Sequence, residues 1–482
     1  MDRQINWFGI DFGTTNSAAV SFTGTDLLSV KEIDCGDYEG RPFPSLVAIN
    51  VKNGSVITGR EARERKNELS SEYKFFSSIK SIIGSDVPYE IAGKKWKPVD
   101  IAAEILKGLK RNVSENKGLK CDEAIVAVPI GFTADKKKNL REAAKKAGIN
   151  VKMFISEPTA AFCSNYMNLK GNKYVAVFDW GGGTLDIAML KVEDGKVYEM
   201  ATDGMSVAGD DIDKLIADKI HARIAEGKGI RKELSELDDI TKDTLLMRCE
   251  RAKCSFSDGD EVATIRINRY DEVGTVRQSI EYDFFAELIS PIVDDAIRLL
   301  EGVIRKAGLT TANVDKILCV GGSSKLRPFR EKIEEIYGRE MLYYPEKVMW
   351  DIAKGAAIVN MSSGKFGLNQ DLGLILDDGE FFPLILRGQT LPCRERVISF
   401  AITNDEKHAK FVVTDAKEPE KRSFTQYITV PAGGFMKEQF ELACFIDPDH
   451  LFRLSIRSTQ FMKQYLHFWT YDKLKIYYGI EG

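Results

Sequence analysis

The sequence predicts an α/β domain built from a repeated unit, followed by an all-β domain, and three observations predict it. A turn pattern occurs twice, far apart: FGIDFGTTNS at Phe8–Ser17 and FDWGGGTLDI at Phe178–Ile187. In each, an apolar run ends on an aspartate, a tight turn of glycine and threonine follows, and a second apolar run begins. Between and after these hairpins, apolar strands alternate with amphipathic helical segments. From about residue 361, short runs alternate with turns at the spacing of an all-β domain.

The hairpins carry the chemistry. Gly181, Gly182 and Gly183 strip every Cβ from the second turn, so backbone can approach a ligand closely and successive N–H groups can cradle an anion. Asp11, Asp179 and Asp186 stand beside the turns, where Asp179 and Asp186 in particular could hold Mg²⁺ through water. A lone glycine triplet reads as an ordinary hairpin; two such hairpins read as a duplicated unit gripping one phosphate chain from both sides. GxxxxGK[ST] is missing, as is GxGxxG after a strand, which weighs against P-loop and dinucleotide folds.

Length and composition bound the rest. The 482 residues allow two to four domains, and 44% hydrophobic with 29% charged residues is the make-up of a soluble globular protein. A net charge of −4 gives no electrostatic reason for a nucleic-acid or anionic-membrane partner. No apolar run approaches the roughly 20 residues of a membrane span, and the N-terminus has no signal-peptide pattern. Eight scattered cysteines without a CxxC pair, and four separated histidines, point to a reduced cytoplasmic chain without a zinc site.

In chain order, strands are expected at Trp7–Asp11, Ala18–Phe22 and Leu28–Ile33. A small α/β insert follows at about 37–98, with helices at Arg60–Glu68 and near Ile79–Gly84. Ile101, Ile105, Leu109 and Val113 mark an amphipathic helix over Asp100–Val113. Ala124–Val128 is a strand, and Thr133 caps a lysine-rich helix that stops at Gly148. Val151–Ile155 runs into Ser156-Glu157-Pro158, the opening of another helix with Glu157 at its positive end. Asp203–Asp213 reads as a loop, and Thr244–Ser255 as a helix with Glu250, Lys253, Cys254 and Ser257 on one stripe. Ile317–Val320 leads into Gly321-Gly322-Ser323-Ser324-Lys325 and a helix to Tyr337, presenting N–H groups to a ligand. Ser362–Gln370 is a linker, and six strands between Phe381 and Ile456 form the β domain.

With these motifs the chain resembles the actin-like ATPase superfamily, and within it the DnaK-type (seventy-kilodalton) heat-shock chaperones, as a short member without their helical lid. IDFGTTNS and FDWGGGTLDI are similar to the family's two phosphate motifs, SEPTAAF to the segment joining the lobes, and VGGSSKL and CERAK to its adenosine side. LILRGQTLP and FIDPDHLFRLSIRS are similar to strands of its β domain. The resemblance implies an α/β two-lobed actin-like ATPase domain of duplicated ribonuclease-H-like units at 1–361, with small inserts at about 37–98 and 211–289. A linker at 362–371 and a β-sandwich peptide-binding-like domain at 372–482 complete it.

The resemblance also implies roles. Asp11 and Asp179 order the waters of Mg²⁺. Gly13, Thr14, Thr15, Asn16 and Gly181, Gly182, Gly183, Thr184 hold the phosphates of ATP or ADP. Glu157 and Asp186 orient the attacking water or the metal shell. Glu250, Lys253 and Ser257 reach the ribose side, while Gly321, Gly322, Ser323 and Lys325 line the adenosine. Leu374 and Phe400 fall at apolar positions of the peptide groove. The implied partners are unfolded or extended polypeptide, a J-domain co-chaperone and a nucleotide-exchange factor, with neither nucleic acid nor membrane.

The chain departs from that pattern at four places. Arg63, in GREAR, is expected where the family has its γ-phosphate lysine, and Cys254 stands where an arginine stacks on adenine. Asp377 replaces an apolar groove residue, and the acidic, leucine-rich linker is not evident. The expectation is an ATPase coupled to polypeptide binding. Two alternatives stay open: an ATP-gated regulatory or scaffold protein, and a small-molecule kinase of the same superfamily.

Overall fold

The computed structural model describes residues 6–24, 31–36, 40–361, 366–460 and 466–480. Two large sheets dominate the first 361 residues, and they repeat one plan. In the first, Asn150–Ser156, Glu123–Val128 and Asn6–Asp11 run parallel, then Asn16–Thr23 and Lys31–Cys35 add antiparallel. In the second, Leu342–Tyr343, Lys316–Val320 and Tyr174–Trp180 run parallel, then Leu185–Glu193 and Lys196–Met205 add antiparallel. The same order and sense twice is the repeat that the paired hairpins foretold.

The central strands are apolar on both faces because helices cover both, as parallel sheets require. Glu157–Leu169 and Asp351–Met361 cross between the lobes. The crossing is so close that a Cβ on Gly355 would stand 1.7 Å from the Ala160 carbonyl oxygen. Phe178, Trp180 and Phe329 fill the second lobe, with ring centroids 4.7–5.9 Å apart.

Helix starts follow the local signals. Pro98 opens Pro98–Lys117, where the Asp100 carboxylate accepts the Lys97 N–H at 3.0 Å. Thr133 caps Ala134–Lys146, and Ser156 caps Glu157–Leu169. The helix expected over Arg60–Glu68 is two pieces, Gly59–Glu64 and Lys66–Leu69, broken at Arg65. The insert also holds small sheets at Val47–Asn50, Val56–Thr58 and Tyr73–Phe76, and at Tyr89–Ile91 and Lys94–Trp96.

Two expectations are corrected. Asp203–Asp213 is not a loop throughout: the strand Lys196–Met205 runs into it, and the helix Gly209–Lys228 begins within it. Pairing of Asp203, Gly204 and Met205 with Ile187, Asp186 and Leu185 holds residues of low strand propensity extended. The span 372–482 is not all β domain either. Its strand Ile476–Gly479 joins the second lobe's sheet, paired with Lys196–Met205 on one side and Phe366–Leu368 on the other. Of the linker at 362–371, residues 362–365 lie outside the described residues, as do 28–30 of the strand Leu28–Ile33.

The β domain is two four-stranded antiparallel sheets. One is ordered Phe381–Ile385, Leu372–Ile375, His408–Thr414, Thr425–Pro431; the other Cys393–Ala401, Gln439–Ile446, Phe452–Ser458, His467–Tyr471. Alternate residues of Gln439–Ile446 point inward, giving the period of two that a half-buried strand needs. Leu374, Phe411, Phe440, Leu442 and Phe452 meet in the interior. The turn 447–451 rests on the first lobe, where Arg141 Nε donates to Asp449 Oδ1 at 2.8 Å.

Candidate functional site

Asp11, Glu157, Asp179 and Gly321 all sit at or just past the carboxyl ends of parallel strands, the end at which open α/β sheets bind ligands. The sheets point these ends toward one cleft. There the two turns face each other: a Cβ on Gly183 would stand 3.0 Å from Thr14 Oγ1, and one on Gly182 3.1 Å from Thr15 Oγ1. Any side chain there would close the gap. The second turn is held from behind. Gly181 N–H donates to the Thr184 carbonyl at 2.9 Å, Asp210 N–H to that of Gly182 at 2.8 Å, and Ser323 Oγ to that of Gly181 at 2.8 Å. Gly321 has φ +81 and packs so tightly on Trp180 and Asp179 that only glycine fits.

A cavity of about 400 Å³ occupies the cleft, the size of a small-ligand site. Asp11, Gly13, Thr14, Thr15, Asn16, Glu157, Asp179, the turn Gly181–Thr184, Ser257, Gly321, Gly322 and Lys325 line it. So do Lys80, Cys254, Asp258 and Met349. Ser323 supports the turn from outside the cavity, and Glu250 is exposed beyond its wall. Lys253 is buried and spent on its neighbours, donating to the Gly209 carbonyl at 2.9 Å and to Asp213 Oδ2 at 2.8 Å.

The cation at the centre is Lys80, and this is the main departure from the expected site. Its Nζ donates to Glu157 Oε1 at 2.5 Å, with both residues buried. Arg63 is exposed on the outer side of the first turn, where Nη2 donates to Asn16 Oδ1 at 3.0 Å. It braces the loop and does not line the cavity. A lysine embedded in the apolar segment Ile79–Ile83 was the available signal, since lysine is rarely buried without a partner.

The electrostatics are those of crowded carboxylates around one ammonium. Burial raises the Asp179 carboxyl well above its ordinary range, and the charges of Glu157, Asp186 and Asp11 raise it further. Burial lifts Glu157 to about 8 against the pull of Lys80. Burial also raises Asp11, with Lys80 pulling it down, and Asp186, against hydrogen bonds from Thr184 and the Ile130 N–H and the weaker pull of Lys80. Burial disfavours the Lys80 charge, but Glu157 and Asp11 more than offset this and hold it charged. Asp186 Oδ1 accepts the Ile130 N–H at 2.9 Å, while its Oδ2 is buried without a partner among the described residues. Such a set fits a hard divalent cation with oxygen donors. Among the described residues no three His, Cys, Asp or Glu side chains gather closely enough to ligate a metal directly.

A larger cavity of about 860 Å³ opens on the far side of the same turns, sharing Thr14, Lys80, Gly183 and Thr184. Asp186, Glu199, His450 and the segment Asp472–Ile476 also line it. In the β domain, Leu374 is 2% exposed within the interior, and Phe400 packs edge-on against Phe382 at 5.2 Å. Asp377 Oδ2 accepts a hydrogen bond from Thr403 at 3.0 Å. Among the described residues no helix is long and apolar enough to cross a membrane.

A family model described as Hsp70 protein matches residues 85–413. The match spans the second turn, the CERAK helix, the GGSSK segment and the first strands of the β domain. The first turn, Arg63 and Lys80 lie outside it, so their place in the site rests on the geometry above.

Proposed function

The chain belongs to the Hsp70 family, and from that premise we propose that it hydrolyses ATP to ADP and phosphate in the cleft and couples this to holding extended polypeptide. The observation that carries the reading is the convergence of the threonine-bearing first turn and the side-chain-free second turn on one cavity lined by Lys80, Asp11, Glu157 and Asp179.

Phosphoryl transfer to water asks for positioning and charge neutralisation, with little covalent work by the protein. Thr14, Thr15 and the Gly181–Thr184 backbone offer donors to the β- and γ-phosphates. Lys80, held charged by Glu157 and Asp11, supplies the positive charge at the γ-phosphate. Asp11 and Asp179 would hold Mg²⁺ through water, and the bound ion would supply positive charge against the phosphates. Asp186 Oδ2 is the acceptor available for a proton of the attacking water. Glu157 fixes Lys80 and, through it, the charge facing that water. Ser257, Lys325, Gly321, Gly322 and the exposed Cys254 bound the adenosine end.

Asp11→Asn and Asp179→Asn test the metal assignment. Each should cut phosphate release steeply in a chain that still melts cooperatively, and near-normal turnover in either would refute it. The polypeptide half rests on the family, with the J-domain co-chaperone, the exchange factor and a cytoplasmic setting as its further expectations. The ATP-gated scaffold reading draws on the burial of Leu374 and on the β domain's attachment to both lobes. Stimulation of ATP turnover by an unfolded peptide separates the two readings, since a pure scaffold shows none.

A further inference from the structure

Strand Ile476–Gly479 leaves the β domain and enters the second lobe's sheet. It pairs antiparallel with Lys196–Met205 through Lys196↔Gly479, Val197↔Tyr478 and Tyr198↔Tyr477. Its other edge pairs with Phe366–Leu368, the strand that leads into the β domain. Neighbouring strands lie about 4.8 Å apart. Without the middle strand, Phe366–Leu368 would therefore face Lys196–Met205 across about 10 Å and have no partner there. Further bonds clamp both ends: Ile480 N–H donates to the Gly195 carbonyl at 3.0 Å, and Asn369 N–H to that of Lys475 at 2.8 Å.

The fit is specific to these side chains. Ile476 and Tyr478 are 4% and 3% exposed, in an apolar cluster with Phe366, Ile155 of the first lobe and Cys163 of the crossing helix. Tyr477 faces the other way, against Tyr198 at 5.5 Å, and lies over Gly367 so closely that a Cβ there would fall 2.0 Å from its ring. The glycine is the socket for the tyrosine. The ladder continues to the nucleotide cleft: Lys196–Met205 pairs with Leu185–Glu193, which begins at the Gly181–Thr184 turn. The segment Asp472–Ile476 also walls the larger cavity that opens onto Thr14, Lys80, Gly183 and Thr184.

We propose that Ile476–Gly479 is an intramolecular strap. It holds the linker strand and the β domain on the second lobe, and it couples them to the phosphate turn through one hydrogen-bonded ladder. The coupling half rests on the nucleotide reading above; the holding half stands without it.

The test uses the full chain and hydrogen exchange read by mass spectrometry. Gly367→Val should raise exchange at 366–368 and 476–479 at least tenfold and speed tryptic cleavage between the domains. Adding Tyr477→Ala to that variant should restore protection by emptying the socket. Wild-type protection in Gly367→Val would overturn the proposal. Should that variant fail to fold, Tyr198→Cys with Tyr477→Cys replaces it. Oxidation should then link the strap to the lobe and slow cleavage between the domains at least tenfold, and an unlinked or equally cleaved chain would overturn the proposal. Mg-ATP should change exchange at 476–479 in the wild type but not in Gly367→Val, with both still binding a fluorescent ATP analogue. Binding without any such change in the wild type refutes the coupling. Failure of the wild-type chain to bind the analogue refutes the nucleotide reading, and with it the coupling, while the exchange of the nucleotide-free chains still decides the holding role.

Discussion

Lys253 and Asp213 illustrate what single residues do around this cleft. Burial raises the Asp213 carboxyl to about 6, with Lys253 pulling against it. Removing Lys253 strands a buried carboxylate, so Lys253→Met should cost about 3–5 kcal/mol near pH 7.5. The cost should shrink at pH 5, where Asp213 takes up a proton and no longer needs a counter-charge; urea midpoints at the two pH values check this. At the cavity mouth, Cys254 is exposed and beside Ser257 and Lys325. An arginine there gains a flat cation for a purine face, so Cys254→Arg should tighten ATP binding by about 0.5–2 kcal/mol. Titration calorimetry reads this, and unchanged affinity would mean that the side chain does not reach the base. Residues of this kind were legible because they sit in contiguous motifs. Lys80 was not, since its partner Glu157 is 77 positions away and neither neighbour sequence encodes the contact.

At the scale of elements, local chemistry marked the starts of helices and the hairpin turns, and long-range pairing decided the rest. Thr133 caps the helix it was expected to cap, and the helix expected to open at Ser156-Glu157-Pro158 does so with Ser156 as its cap. The Asp203–Asp213 segment looked like a loop by propensity, yet its first residues are strand because Leu185, Asp186 and Ile187 pair with them. The crossing of Glu157–Leu169 and Asp351–Met361 depends on the missing Cβ of Gly355. Gly355→Val forces backbone against backbone and should destabilise the chain at or above the top of the usual range of about 1–3 kcal/mol. Denaturant unfolding measures it; a loss below about 0.5 kcal/mol would show that the helices can part freely.

Across the whole molecule, the strap and the 447–451 turn are among the places where the described residues fasten the β domain to the lobes. The strap was invisible in the sequence because four residues show no periodicity, and their partner strand lies nearly three hundred positions earlier. The turn carries His450, 5% exposed, with Nε2 lacking a partner among the described residues. Burial, with Lys137 and Arg141 nearby, lowers its pKa to about 3. Because the folded value lies below the unfolded one of about 6.5, the unfolded chain binds the extra proton between these limits. Stability is therefore full above about pH 6.5 and falls on acidification, by about 2 kcal/mol at pH 5 from this group. His450 also has φ +58, a conformation asparagine tolerates. His450→Asn should flatten the loss between pH 7 and 5, as thermal melts would register.

The central claim is that Lys80, facing both turns from the cavity wall, supplies the charge for hydrolysis, and that Arg63 does not. Single-turnover hydrolysis of bound ATP by Lys80→Ala and Arg63→Ala tests it most directly, with nucleotide affinity measured on the same samples. The account predicts a rate about 10²–10³-fold lower for Lys80→Ala, the usual loss for one charge-stabilising donor, with ATP still bound. It predicts a change of only a few-fold for Arg63→Ala, whose guanidinium braces Asn16 from outside. A Lys80→Ala chain that hydrolyses ATP at the wild-type rate, or an Arg63→Ala chain that loses the full factor, would contradict it.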